Sequence, residues 1–217
     1  MQPRVESLER RDTPSTTVGR GMVVVQGTEA RDVVVVQADA ANDCLVVSFN
    51  GELSFSRLSS VQAVVADLGG GNDYFGYTGP QSGRADAGLR LIVACGAGRD
   101  EVFLHAGCAS AVLFGDGGND LLTAWPRYKG QVYATGGAGD DTLNGGKGDD
   151  GLFGGRGNDA VDGGEGDDVV QGGAGDDEIY AAFGSDTVDG GAGRDLIYVN
   201  AQATVVPGGA GDRVILV

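Results

Sequence analysis

The sequence predicts an all-β chain wound as a parallel solenoid. Three observations carry that reading: a nine-residue period that runs without insertion from Gly136, an eighth position in it that is never polar, and 41 glycines lacking the three-residue period of collagen. Units begin at 136, 145, 154, 163, 172, 181, 190, 199 and 208. Their sixth place reads Asp141, Asp150, Asp159, Asp168, Asp177, Asp186 and Asp195, then Thr204 and Arg213. Their eighth reads Leu143, Leu152, Val161, Val170, Ile179, Val188, Ile197, Val206 and Ile215.

Each unit divides into a six-residue turn and a three-residue strand. The glycines allow positive φ and close backbone approach in the turn. In the strand the eighth residue points inward, and the seventh and ninth point out. Two units return the chain to its starting side, so coils of 18 residues stack at roughly 4.8 Å around a thin column of Leu, Val and Ile. Upstream the unit recurs at wider spacing: "GTEARDVVV" with Asp32 and Val34, "LGGGNDYFG" with Asp73 and Phe75, "CGAGRDEVF" with Asp100 and Val102, and "GDGGNDLLT" with Asp120 and Leu122. Between the first two, "DCLVVSF" and "VQAVVADL" read as strands and "NGE" and "LSS" as turns. The spacings place inserted loops at 77–88 and 123–134. The expected organisation is a disordered arm over 1–20, an irregular longer-coil half over 21–135 with those loops, and a regular half over 136–217 ending in a cap. Residues 21–217 form one continuous domain.

Charge narrows the function. The chain holds 31 acidic and 15 basic residues, a net charge of -16. Of this, 16 acids against 4 bases lie in 136–217, so -12 falls in the last 82 residues. A nucleic-acid binder requires the opposite sign. The regular aliphatics argue against a disordered acidic tail. The first 20 residues lack the apolar core of a Sec signal, and no apolar run reaches 18 residues. Cys44, Cys95 and Cys108 lack metal-ligand spacing and read as buried or half-buried thiols.

Stacking sorts the aspartates onto two edges: Asp120, Asp141, Asp159, Asp177 and Asp195 on one, Asp150, Asp168 and Asp186 on the other. Carboxylates one strand apart repel. Either some hold protons or cations lie among them. A hard divalent cation taking about 6–8 oxygens suits carboxylates with turn carbonyls. Zinc would want His or Cys, and His105 is the chain's only histidine. Calcium fits.

The pattern Gly-Gly-x-Gly-x-Asp-x-aliphatic-x resembles the nonapeptide of the repeats-in-toxin (RTX) family, closely over 136–198 and more weakly over 27–135. The resemblance implies a right-handed parallel β-roll with several Ca²⁺ ions between turns. It implies as ligands the sixth-position carboxylates and the carbonyls of the preceding glycine turns. On this chain these are Asp73, Asp100, Asp120, Asp141, Asp150, Asp159, Asp168, Asp177, Asp186 and Asp195, with Gly137, Gly139, Gly146, Gly148, Gly155, Gly157, Gly164, Gly166, Gly173 and Gly175. It further implies an extracellular or cell-surface protein of a bacterium. Type I secreted members usually carry a further segment after the repeats, whereas this chain stops at Val217.

Other features are weighed against this frame. The fifth-place Asp140, Asp149, Asp167 and Asp176 should point outward and set the local field. Arg213, in a sixth place, should pair with Asp195 or Asp212 and cap the column, and Thr204 should carry no site. Trp125, Tyr128 and Tyr133, with Arg127 and Lys129, read as a loop packed on the solenoid flank, the alternative being a glycan- or protein-binding surface. Tyr180 and Tyr198 should stack as an outward ladder. No HExxH, GxSxG or nucleophile–histidine pairing appears, so a catalyst is not expected. The function expected is a calcium-binding module whose folding is coupled to Ca²⁺. The alternatives are an adhesive module using the inserted loops and a polysaccharide-modifying enzyme.

Overall fold

The computed structural model describes residues 15–19, 21–80, 88–107, 109–206 and 208–217. Most of the expected arm, segment 81–87 of the first expected loop, and Cys108 lie outside them. Ser15–Gly19, the end of that arm, form strand β1.

Strands are numbered in chain order. One sheet contains β1, β2 (Met22–Thr28), β6 (Ala63–Gly69), β8 (Arg90–Ala94), β10 (Ser110–Gly117), β12 (Val132–Ala138), β14 (Gly151–Arg156), β16 (Val169–Ala174), β18 (Thr187–Ala192) and β20 (Thr204–Val206), in that spatial order. The other contains β5 (Glu52–Arg57), β4 (Cys44–Phe49), β3 (Val33–Asp39), β7 (Tyr74–Thr78), β9 (Glu101–Ala106), β11 (Leu121–Ala124), β13 (Thr142–Asn144), β15 (Ala160–Asp162), β17 (Glu178–Ala181), β19 (Leu196–Val199) and β21 (Arg213–Leu216). From β6 on, successive strands alternate between the sheets and pair in parallel, which makes the chain a parallel β-solenoid. The antiparallel pairs are β1–β2, β3–β4 and β4–β5, at the N-terminal end. There "DCLVVSF" yields β4 and "VQAVVADL" yields β6. The "NGE" turn carries positive φ at Asn50 and Gly51, as a two-residue hairpin of matching twist requires.

Inside, the eighth-place residues Leu143, Leu152, Val161, Val170, Ile179, Val188 and Ile197 are all buried. Strands of the first sheet run on through the opening glycines, as in β14, where the sequence suggests three residues; β13 and β15 do have three.

Register corrects the second expected loop. Tyr133 pairs with Gly151 and Ala134 with Leu152, while Gly107 bridges Tyr128. Residues 127–135 are therefore a worn nonapeptide in phase with the unit at 136, and the insertion shrinks to Ala124, Trp125 and Pro126. The same register makes 106–114 another worn unit. Their sixth places hold Val132 and Ala111, which hid the period. Val23, Val64, Leu91, Ala111 and Val132 line up on the second edge and are at most 2% exposed. Along that edge the N-terminal half buries apolar side chains where the C-terminal half has aspartates.

The last coils are also corrected. Thr187 pairs with Thr204 and Leu196 with Arg213, so the period shortens by one residue. Asn200 causes this by closing a shorter turn: its Nδ2 donates to the carbonyls of Ala182 and Gly184, and its Oδ1 accepts from the Gln202 N–H. The sixth places become Ala203 and Asp212, and the eighth become Val205, which packs on the core, and Val214, which is exposed in the last coil. Arg213 therefore caps no column. Thr204 likewise moves to a seventh place.

An apolar edge folds without cancelling charge. With calcium chelated, amides of β2–β11 should exchange more slowly than those of β13–β21 in hydrogen-exchange mass spectrometry; uniform exchange along the chain would refute this.

Candidate metal centre

Each sixth-place aspartate ends a glycine turn and opens a strand, so its carboxyl sits at the solenoid edge under the neighbouring coil. One oxygen has a fixed task. The Asp120 N–H donates to Oδ1 of Asp141, Asp141 to Asp159 and Asp159 to Asp177, each at 2.8 Å, and Asp177 to Asp195 at 3.0 Å. The ladder extends upstream through Asp32 to Asp73, Asp73 to Asp100 and Asp100 to Asp120. It closes downstream on Asp212 at 3.3 Å. The second edge has its own ladder, from Val132 N–H to Asp150, Asp150 to Asp168 and Asp168 to Asp186. The two edges are those expected from spacing, and the first is longer.

The other oxygen has no task. Among the described residues, Oδ2 of Asp73, Asp100, Asp120, Asp141, Asp150, Asp159, Asp168, Asp177, Asp186 and Asp195 is buried without a hydrogen-bond partner. A buried unpaired carboxylate oxygen is strongly unfavourable. Asp32 differs: its Oδ2 accepts from the Thr28 N–H and hydroxyl, and its Oδ1 from Asn50 Nδ2. Neutral donors thus terminate the first column at Asp32.

Turn carbonyls complete the surroundings. At Gly157, φ is +127° and an added Cβ would overlap the carbonyl oxygen of Gly139, which points along the stack. Among the described residues no backbone N–H reaches the carbonyl of Gly139, Gly157 or Gly175. The second-place carbonyl of Gly146, in contrast, accepts from the Glu165 N–H. Gly137, Gly155, Gly164 and Gly173 take the same second place as Gly146, and Gly148 and Gly166 the same fourth place as Gly139. No three His, Cys, Asp or Glu side chains among the described residues converge on one point. Each place therefore offers a bare carboxylate oxygen with backbone carbonyls, an all-oxygen donor set that fits a hard cation such as calcium and not zinc.

Electrostatics agree with that fit. Burial raises the carboxyls of Asp73, Asp120 and Asp150 to about 7 and those of Asp141, Asp159, Asp168 and Asp177 to about 6. The ladder hydrogen bonds oppose the rise and neighbouring carboxylates add to it. Burial likewise raises Asp100, Asp186 and Asp195. Basic side chains form no ion pair with the column among the described residues, whose ion pairs are the surface pairs Lys147–Glu165 and Arg194–Asp176; Arg31 acts on Asp73 from a distance, as the smallest of the effects there.

The fifth place holds a ladder that sequence reasoning missed. Asn158 N–H donates to Asp140 Oδ1, Asp176 to Asn158, Arg194 to Asp176, Asp167 to Asp149 and Ser185 to Asp167. It runs opposite to the sixth-place ladder and lies exposed, so Asp and Asn serve there as acceptors. The recurrence of Asp or Asn at this place was its sequence signal. Outside the columns, Tyr128 is buried edge-on against Tyr77, Trp125 lies beside His105 on the second sheet's outer face, and Tyr133 meets Phe153 on the first's. The three aromatic residues of 123–134 do not share a surface. Tyr180 and Tyr198 stack at 4.4 Å and 4°, as their ninth places require. Cys44 is half-buried, Cys95 buried, and neither is bonded to another cysteine. No described helix is long and apolar enough to cross a membrane.

A parallel solenoid with buried aspartate columns under glycine turns defines the class, an acidic β-roll with places for hard cations. Residues 133–161 and 162–197 match the family model of the RTX calcium-binding nonapeptide repeat, and the chain carries such repeats there. No curated protein and no solved structure matches the chain.

Two outcomes follow. Because the folded carboxyls sit above the ordinary value, the metal-free roll holds protons that the unfolded chain releases. That stability is complete below about pH 4 and lost as pH rises through about 6–7. In EGTA, circular dichroism should show more β-structure at pH 4.5 than at pH 8, and the reverse order would contradict the burial. Gly157→Ala should cost at least about 1–3 kcal/mol from backbone strain alone, read as a lower Tm in Ca²⁺.

Proposed function

We propose that this chain is a calcium-dependent folding module, exported from a bacterium to serve as a structural or interaction element and not as a catalyst. The observation that carries the reading is the set of ten buried Oδ2 atoms without partners among the described residues. Bound Ca²⁺ would supply the positive charge that these oxygens and the turn carbonyls lack. The holders would be Asp73, Asp100, Asp120, Asp141, Asp159, Asp177 and Asp195 on one edge and Asp150, Asp168 and Asp186 on the other, with the second- and fourth-place glycine carbonyls.

The chain's own groups explain why folding would await the metal. Between 136 and 217 the core is one aliphatic side chain per unit with Ala181 and Val199 added, and 16 acids face 4 bases. Glycine-rich backbone loses much entropy on ordering. Charge repulsion and entropy together exceed what that core provides, so metal affinity becomes folding free energy. Extracellular modules typically bind calcium at about 10⁻⁴–10⁻³ M, a range that would fill the sites outside the cell and leave the chain loose inside it. Support against catalysis comes from His105, whose ring lies between Phe103 and Trp125, at 6.0 and 5.6 Å.

Circular dichroism in EGTA and then in millimolar Ca²⁺ tests the reading. The expected result is a gain of β-signal on adding Ca²⁺, and a spectrum indifferent to chelation would sink the proposal. Asp159→Asn keeps an oxygen for the ladder and removes the charge, so it should move the folding midpoint to higher Ca²⁺. Asp140→Asn, in the exposed ladder, should move it little.

A further inference from the structure

A solenoid cannot pair the strands at its ends from its own repeats. At the N-terminal end, among the described residues, the second sheet finishes in β5, whose partner is β4 in an unbroken six-pair antiparallel register. Natural edge strands are blunted by proline, lysine, bulges or brevity. β5 reads ELSFSR, with none of the first three, and its Leu53 and Phe55 are 60% and 65% exposed. These two side chains lie on the sheet's outer face, because Ser54 and Ser56 stand beside the inward Val47 and Leu45.

We propose that β5 is the surface through which two copies of this chain associate, edge to edge and antiparallel, extending the second sheet across a two-fold axis. A two-fold axis normal to the sheet keeps each face common to both copies, so residues opposite one another must share parity. With Ser54 opposite Ser54 of the second copy, Leu53 falls opposite Phe55 and Phe55 opposite Leu53. Four apolar side chains then form one row on the outer face, and cross-strand aromatic–aliphatic pairs of this kind stabilise a sheet. Glu52 falls opposite Ser56, so no like charges meet.

Charge favours this end over the other for joining two copies. Residues 1–135 hold 15 acids and 11 bases, a net of -4, against -12 for 136–217. Joining the N-terminal ends keeps the acidic halves apart, whereas joining the C-terminal ends would press them together. The joint would also extend over the cleft of about 400 Å³ beside β5, whose lining includes Phe49, Glu52 and Leu53 with Ser15 and Thr16 of β1.

Sedimentation of the full chain in Ca²⁺ tests the pairing. The expected mass is twice 21.9 kDa. Phe55→Lys should weaken association by about ten-fold or more with an unchanged circular dichroism spectrum. As a check free of folding losses, Ser54→Cys sits on the axis and should give a disulfide-linked pair under mild oxidation, beyond any formed by the wild-type chain. A mass of 21.9 kDa at all concentrations would overturn the proposal, including the case in which residues 1–14 of the same chain cover β5. Masses above a pair, pairing that survives Phe55→Lys, or a Ser54→Cys chain that does not cross-link would overturn it equally.

Discussion

The structure depends on how each column aspartate divides its two carboxyl oxygens. One accepts the N–H of the aspartate one coil away and so holds adjacent turns at sheet spacing. The other is carried by that same bond into a buried place with no partner. A turn that stacks this closely has no room for a side chain to bring in a donor, as the meeting of Gly139 and Gly157 shows. Stacking and the unpartnered Oδ2 are therefore one event, and the fit to a cation follows from the fold's own hydrogen bonds.

Seen this way, the two halves are variants of a single coil. In the C-terminal half both edges bear aspartates, the core is thin, and the ladders bring charge together. In the N-terminal half one edge keeps its carboxylates at Asp73, Asp100 and Asp120, while the other has Val64, Leu91, Ala111 and Val132. Hydrophobic burial there takes the place that the proposed cation would have further on. The column's upstream end uses a third solution, in which Thr28 and Asn50 satisfy both oxygens of Asp32. The exposed fifth-place ladder adds a second set of coil-to-coil bonds running the other way, so each turn is bound to its neighbours in both directions.

Much of this was legible in the residues. A strict sixth-place Asp and eighth-place aliphatic specify a parallel solenoid, two acidic edges and an inward column, and Tyr180 and Tyr198 one coil apart stack as their spacing requires. What escaped reading did so for physical reasons. The unit at 127–135 keeps its backbone path through Gly130 but has Val132 in the sixth place, where burial suffices without charge. The short coil near Asn200 is set by a side-chain amide bonding two carbonyls, which no residue period reports. Asp212 was hidden by that one-residue slip, which passed its place to Arg213 in the count. The fifth-place acceptors looked like solvated charge because exposure and a backbone hydrogen bond leave the same composition.

The central claim is that cations lie at the bare Oδ2 atoms, between coils. Anomalous diffraction from crystals grown in Ca²⁺ measures this directly. The account predicts peaks spaced by one coil beside Asp141, Asp159 and Asp177 and beside Asp150 and Asp168. Peaks confined to the exposed Asp140, Asp149 and Asp167, or no peaks along either column, would contradict it.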